Sequence, residues 1–94
     1  MKADYDSEAN ALAIELVDVD RWDDGDGFDD DYCNIAFSQG RLVYIGLLYP
    51  SENLHLLEAV ADRYELDADR LTALAKTALA APDRQVTIGD RLAV

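Results

Sequence analysis

Asp4, Asp6 and Glu8 flank Tyr5 near the start of the chain. Carboxylates held close together split their pKa values, so that one can act as a general acid while its neighbour acts as a base. That reading requires the carboxylates to converge in a concave pocket with at least one strongly shifted pKa. The same residue types also serve a hairpin turn, where short polar side chains bond to the local backbone. A second acidic group, Asp24, Asp26, Asp29 and Asp31, offers hard oxygen ligands of the kind a Ca²⁺ ion takes. Its spacing departs from the EF-hand loop, which needs an oxygen ligand at position five, glycine at six and glutamate at twelve. Counted from Asp24, those positions hold Phe28, Asp29 and Ile35, which leaves a solvated acidic loop as the simpler reading.

Nucleophilic and metal chemistry find little material. His55 is the single histidine and Cys33 the single cysteine, so neither a histidine-rich metal site nor an intrachain disulfide can form. Cys33 alternates with Ile35 and Phe37, the pattern of a small buried hydrophobe. Ser7, Ser38 and Ser51 fall in a turn, at a strand end and at a predicted helix cap, none in a nucleophile elbow. Gly25 and Gly27 lie among aspartates that would repel a phosphate. No catalytic residue, metal or cofactor is therefore expected.

The elements that must position these residues are legible from periodicity. Ala3 and Tyr5 share one face of a first strand, and Leu12, Ile14 and Leu16 one face of a second, which makes the segment around Ser7 a hairpin turn. Residues 18–31, with eight aspartates and one arginine, lack sustained periodicity and read as a loop. Tyr32–Ser38 alternates again. Gln39-Gly40 then makes a two-residue turn into a fourth strand, Arg41–Tyr49. This strand is apolar on both faces, with Val43, Ile45, Leu47 and Tyr49 on one and Leu42, Tyr44 and Leu48 on the other, so it needs cover on both sides. Gly46 within it suggests a bulge or the close approach of another backbone.

Pro50 ends the sheet and Ser51 is the expected N-cap of a helix carrying Leu54, Leu57, Val60, Ala61 and Tyr64 at helical spacing. Leu66-Asp67 breaks it, with Asp67 capping a second helix that carries Leu71, Leu74, Ala75, Ala78 and Leu79 on one stripe and ends at Ala81-Pro82-Asp83. Residues 84–88 alternate as a short strand at a sheet edge, and residues 89–94 read as a tail. The expectation is a single α+β domain over residues 1–94. Residues 1–50 form a small antiparallel sheet of two N-terminal hairpins with the acidic loop 18–31, joined by the short C-terminal strand, and residues 51–81 a two-helix hairpin packed on one face.

Charge narrows the partners. The chain has 94 residues and a formal net charge of −12, and residues 1–50 hold 12 acids against 3 bases. Such a field repels phosphate backbones and anionic membranes and favours basic partners or simple hydration. It also argues against a helix-turn-helix reading of the two helices, because no basic stripe exists to neutralise DNA. No apolar run approaches a membrane span and no secretory signal is recognised, so a cytoplasmic location is expected.

Tyr5-Asp6-x-Glu8-Ala9-x-Ala11-Leu12-x-Ile14-x-Leu16, an acidic segment, and Gly40-Arg41-Leu42-Val43-x-Ile45-x-Leu47-Leu48 together resemble the family catalogued as domain of unknown function 2283. The resemblance covers about residues 1–51. It implies a compact antiparallel β core and carries no established activity or catalytic residues. The aspartate-rich link and the two helices over residues 54–81 depart from the pattern of many shorter members.

Three functions compete on this reading. The first is a non-enzymatic interaction module, self-associating as a homodimer. The second is an acidic neutraliser of a basic protein partner, antitoxin-like or mimicking nucleic acid. The third is an acid–base enzyme using Asp4, Asp6 or Glu8. The residues expected to meet a partner are Trp22, Phe28, Asp24 and Asp26 in the acidic segment, and Tyr44 and Leu48 on the fourth strand.

Overall fold

A computed structural model describes residues 1–17, 24–27 and 31–87, the backbone alone for 24–27. The chain runs β1 (Lys2–Asp6), β2 (Ala11–Glu15), β3 (Asp24–Gly27), β4 (Cys33–Ser38), β5 (Arg41–Leu48), α1 (Pro50–Asn53), α2 (His55–Tyr64), α3 (Ala68–Ala80) and β6 (Gln85–Thr87). The six strands form one sheet in the order β3-β4-β5-β2-β1-β6, with every neighbouring pair antiparallel. The α+β architecture with helices on one face of an antiparallel sheet is thus the observed one.

Period-two alternation turns one face of this sheet into the core floor. Rows run across the strands: Val86, Ala3, Ile14, Ile45 and Ile35 in one, and Tyr5, Leu12, Leu47 and Cys33 in the next. Against them pack Leu56, Leu57, Val60 and Ala61 of α2 and Leu71, Leu74, Ala75 and Ala78 of α3. Leu57 and Leu74 are completely buried, and each contributes about 1.5–3 kcal/mol of burial on transfer from water. Cys33, the single cysteine, is buried in this core.

Both hairpins form as expected. Gln39 and Gly40 have φ of 52° and 78°, the positive pair of a tight turn whose twist matches the strands. Asp67 caps α3 by accepting from the Arg70 amide at 3.1 Å, and β6 pairs with β1 at the sheet edge.

Five expectations need correction. Residues 18–31 are not loop throughout, because Asp24–Gly27 is a strand paired with β4. The outer edge of β4 offers free N–H and C=O groups, and Gly25 and Gly27 carry no side chain from which alternation could be read. Ser51 is not the N-cap. Tyr49 holds that place in the left-handed region (φ 47°, ψ 56°) without a side-chain cap bond, and Pro50 starts the helix, where its missing N–H costs nothing. Tyr49 consequently leaves the core face of β5 and is exposed.

The remaining two concern β5. Phe37 pairs with Leu42 while Ala36 pairs with Tyr44, so Val43 is the extra residue of a bulge. The bulge switches the alternation and turns Leu42 onto the core side, where it packs against the buried cluster. Gly46, by contrast, pairs regularly with Asn34 and Ala13. The atoms crowding it belong to side chains and not to another backbone.

Candidate functional site

The helices all lie on one side, so the opposite face of the sheet is built only from the alternate residues of each strand. Its rows follow from the register. One reads Thr87, Lys2, Glu15, Tyr44, Ala36; the next Gln85, Asp4, Ala13, Gly46, Asn34; the third Asp6, Ala11, Leu48. Among the described residues no helix covers this face.

Two features stand out on it. The first is apolar. Tyr32, Leu48 and Tyr49, at 45, 42 and 47% exposure, are the exposed large hydrophobics of the described structure. They meet at one end of the β4–β5 hairpin. The Leu48 amide donates to the Tyr32 carbonyl at 2.8 Å, and the Tyr32 and Tyr49 rings pack edge to face with centroids 5.7 Å apart. Hydrogen bonds surround Tyr49 in its left-handed conformation. Its amide donates to the Asn10 carbonyl at 2.9 Å, and the Asn53 side-chain amide donates to the carbonyls of Leu48 and Tyr49 at 3.0 and 3.1 Å. A non-glycine residue in that region costs free energy, and the bonds around it offset that cost and fix the position of the ring.

The second feature is polar and centred on Tyr44. Its ring runs along β5 over Gly46: a Cβ placed on Gly46 would fall 2.9 Å from the Tyr44 Oη and 3.1 Å from its Cε2, and nearer still to the Asn34 Oδ1. Only glycine leaves space for these two side chains to converge. Burial pushes the Tyr44 phenol above the ordinary 10.0, and the carboxylates of Asp4 and Glu15 push it further in the same direction. Tyr44 therefore sits in a negative field set by the two neighbouring strands.

The acid–base constellation is only partly assembled. Asp4 and Tyr5 occupy opposite faces of β1. The Asp6 carboxylate accepts from the amides of Glu8 and Ala9 at 3.0 and 3.2 Å, and the Tyr5 hydroxyl donates to Asn10 Oδ1 at 2.6 Å. These are turn-stabilising bonds. Asp4 and Asp6 do line an open depression of about 380 Å³ with Tyr5, Asp83, Arg84 and Gln85, and Glu8 is not part of it. Asp83, at positive φ, accepts from the Ser7 amide at 3.0 Å and the Ser7 hydroxyl at 2.7 Å. These bonds hold its carboxyl below the usual range and stitch the β1–β2 turn to the α3–β6 turn.

Of the residues expected to meet a partner, Tyr44 and Leu48 share the sheet face opposite the helices. Trp22 and Phe28 lie outside the described residues, and Asp24 and Asp26 are placed by backbone only, opposite Phe37 and Ile35. His55 is an exposed residue at the start of α2. Among the described residues no three His, Cys, Asp or Glu side chains are grouped to hold a metal ion, and no helix is long and apolar enough to cross a membrane. Tyr32, Asn34 and Tyr49 were not among the residues expected to meet a partner. The signal that could have found Asn34 is the Tyr-x-Gly spacing of Tyr44 and Gly46, which puts an aromatic ring and a bare backbone on one strand face. No family model, no curated protein and no solved structure matches this chain.

Proposed function

We propose that this protein is a non-enzymatic interaction module that self-associates as a homodimer through the face of its sheet opposite the helices. The observation that carries the reading is the cluster of Tyr32, Leu48 and Tyr49, more than two-fifths exposed although large and apolar. Tyr49 sits there at positive φ, with its amide bonded to Asn10 and its carbonyl to the Asn53 side chain. A two-fold contact would set the cluster against its own copy, the self-complementary arrangement of most homodimers. These three side chains carry no charge, so the contact brings no carboxylate of theirs against another. A cytoplasmic setting is part of the proposal. So is kinship with the domain of unknown function 2283. The two halves of the shared pattern fall on the β1–β2 hairpin and on β5 with its preceding turn glycine, and they join where β2 pairs with β5.

Sedimentation velocity over a wide concentration range tests the assembly. Wild type should pass from monomer to dimer, and association should tighten with added salt, because each copy carries −12 and screening weakens their repulsion. Leu48→Ser, at an exposed site, should leave the fold intact and weaken association by about tenfold or more, which is about 1.4 kcal/mol. A wild type that stays monomeric at every concentration would refute the dimer.

A further inference from the structure

The cluster of Tyr32, Leu48 and Tyr49 stands at an acidic end of the sheet. Asp31 adjoins Tyr32 in the chain, and Glu52 lies in the first turn of α1, where its amide donates to the Tyr49 carbonyl at 3.0 Å. Both are exposed. Asp6 lies two strands across from Leu48 in the same row, about 10 Å away at the usual strand spacing, and it shares its depression with Arg84. The other described lysines and arginines stand elsewhere. Lys2 and Arg41 are at the opposite end of the sheet, Arg41 about 23 Å from Leu48 along β5 at strand rise. Arg63, Arg70 and Lys76 are on α2 and α3, across the sheet.

We propose that this cluster also docks a basic segment of a partner protein, and that the partner displaces the second copy. An apolar side chain of the segment sits on Leu48 and the two tyrosine rings, with its lysines or arginines beside Asp31 and Glu52. The inference rests on reading the cluster as an interaction surface, and it names the partner chemistry that this surface fits. Interfaces draw most of their affinity from a few large side chains at the centre of a polar rim. Here the centre is apolar and aromatic, and the rim is acidic. A second copy sets one acidic rim against another, which opposes binding, whereas a basic segment meets the same rim with opposite charge. The two occupants therefore respond oppositely to ionic strength. Screening strengthens the contact between copies by weakening their repulsion, and it loosens the basic segment by weakening its attraction. On a chain of net charge −12, low salt favours the partner and high salt the dimer.

The test is fluorescence anisotropy of the intact protein with a labelled peptide of leucines flanked by lysines, beside a second peptide in which serines replace the leucines. The leucine peptide should bind, more weakly as salt rises, and the serine peptide should bind about tenfold less tightly or worse. Leu48→Ser should weaken leucine-peptide binding by about tenfold or more. Asp31→Asn with Glu52→Gln should weaken it by about fivefold or more, and Glu58→Gln with Asp62→Asn, the same change of charge on exposed residues of α2, by no more than about twofold. Sedimentation velocity at concentrations where the protein is dimeric should show the peptide converting dimer to monomer. Equal binding of the two peptides, or equal losses in the two double variants, would overturn the proposal by reducing capture to net charge. A peptide that binds the dimer without dissociating it would overturn the shared site. If wild type never dimerises yet captures the peptide through Leu48, Asp31 and Glu52, the dimer alone fails; if it dimerises and ignores the peptide, this proposal alone fails.

Discussion

Replacing Gly46 with alanine is a sharp probe of the sheet face opposite the helices, because the structure says which atoms the new methyl group strikes. It would fall 2.9 Å from the Tyr44 Oη and 3.1 Å from Cε2, and still nearer the Asn34 Oδ1. All three atoms are the far ends of side chains, so they can swing away without moving the sheet. Loss of glycine freedom in the unfolded chain stabilises by about 0.4–1 kcal/mol where the backbone conformation suits alanine. The Gly46 φ lies outside the left-handed region, so that gain applies. Turning Tyr44 from its rest position costs about 0.5–1.5 kcal/mol. The two nearly cancel, and urea denaturation should find Gly46→Ala within about 1 kcal/mol of wild type. Gly46→Val, with two further carbons in the same space, should lose about 1–3 kcal/mol.

The diagnostic change is in Tyr44 itself. Lifted off its floor into water, the phenol should ionise at lower pH, nearer 10.0, which an ultraviolet titration read against Tyr44→Phe would detect. In the folded wild type its pKa is raised above the unfolded value, so its contribution to stability is complete below about pH 10 and is lost as the pH rises through the folded pKa. Tyr44→Phe should flatten that alkaline loss. A Gly46→Ala variant destabilised by more than about 3 kcal/mol would show that rigid backbone meets the new methyl, beyond the range of side-chain adjustment. An unchanged Tyr44 titration would show that the ring does not rest there. Either result refutes the reasoning.

Asp67→Ala removes the side-chain acceptor at the start of α3 and should lower stability by about 0.5–2 kcal/mol in chemical denaturation. Asp83 has a lowered pKa because it accepts from Ser7; its contribution is present above the unfolded value of 3.8 and disappears as the pH falls through the folded pKa. Thermal melts between neutral and strongly acidic pH should therefore show a steeper acid loss in wild type than in Ser7→Ala.

The sheet face opposite the helices illustrates how far a sequence can be read. Leu48 and Tyr44 were legible as its members, because alternation along β5 from Ile45 to Leu48 is unbroken and the parity of each residue follows from its neighbours. Leu42 was misplaced by the same logic. A bulge at Val43 resets the parity, and nothing in Arg41-Leu42-Val43-Tyr44 marks it, since every residue after the arginine is apolar or aromatic. Tyr49 escaped for a related reason: its amide is bonded to the carbonyl of Asn10, 39 residues away in the chain.

Local chemistry determined by itself most of what depends on neighbours in sequence. Examples are the tight turn at Gln39-Gly40, the cap at Asp67, the two amphipathic stripes over Leu57 and Leu74, and the buried placement of Cys33. Each follows from side-chain spacing or from a residue's own range of φ, and neither needs a distant partner. Tertiary structure alone decided that β2 pairs with β5 and so brings Asp4, Glu15, Tyr44 and Asn34 onto one surface. It alone turned Asp24–Gly27 from loop into edge strand, because the hydrogen bonds that make it a strand are supplied by β4. Strand pairing is a contract between backbones, whose N–H and C=O groups are the same in every residue but proline, and the order in which strands meet is therefore settled only when the whole sheet closes over its core.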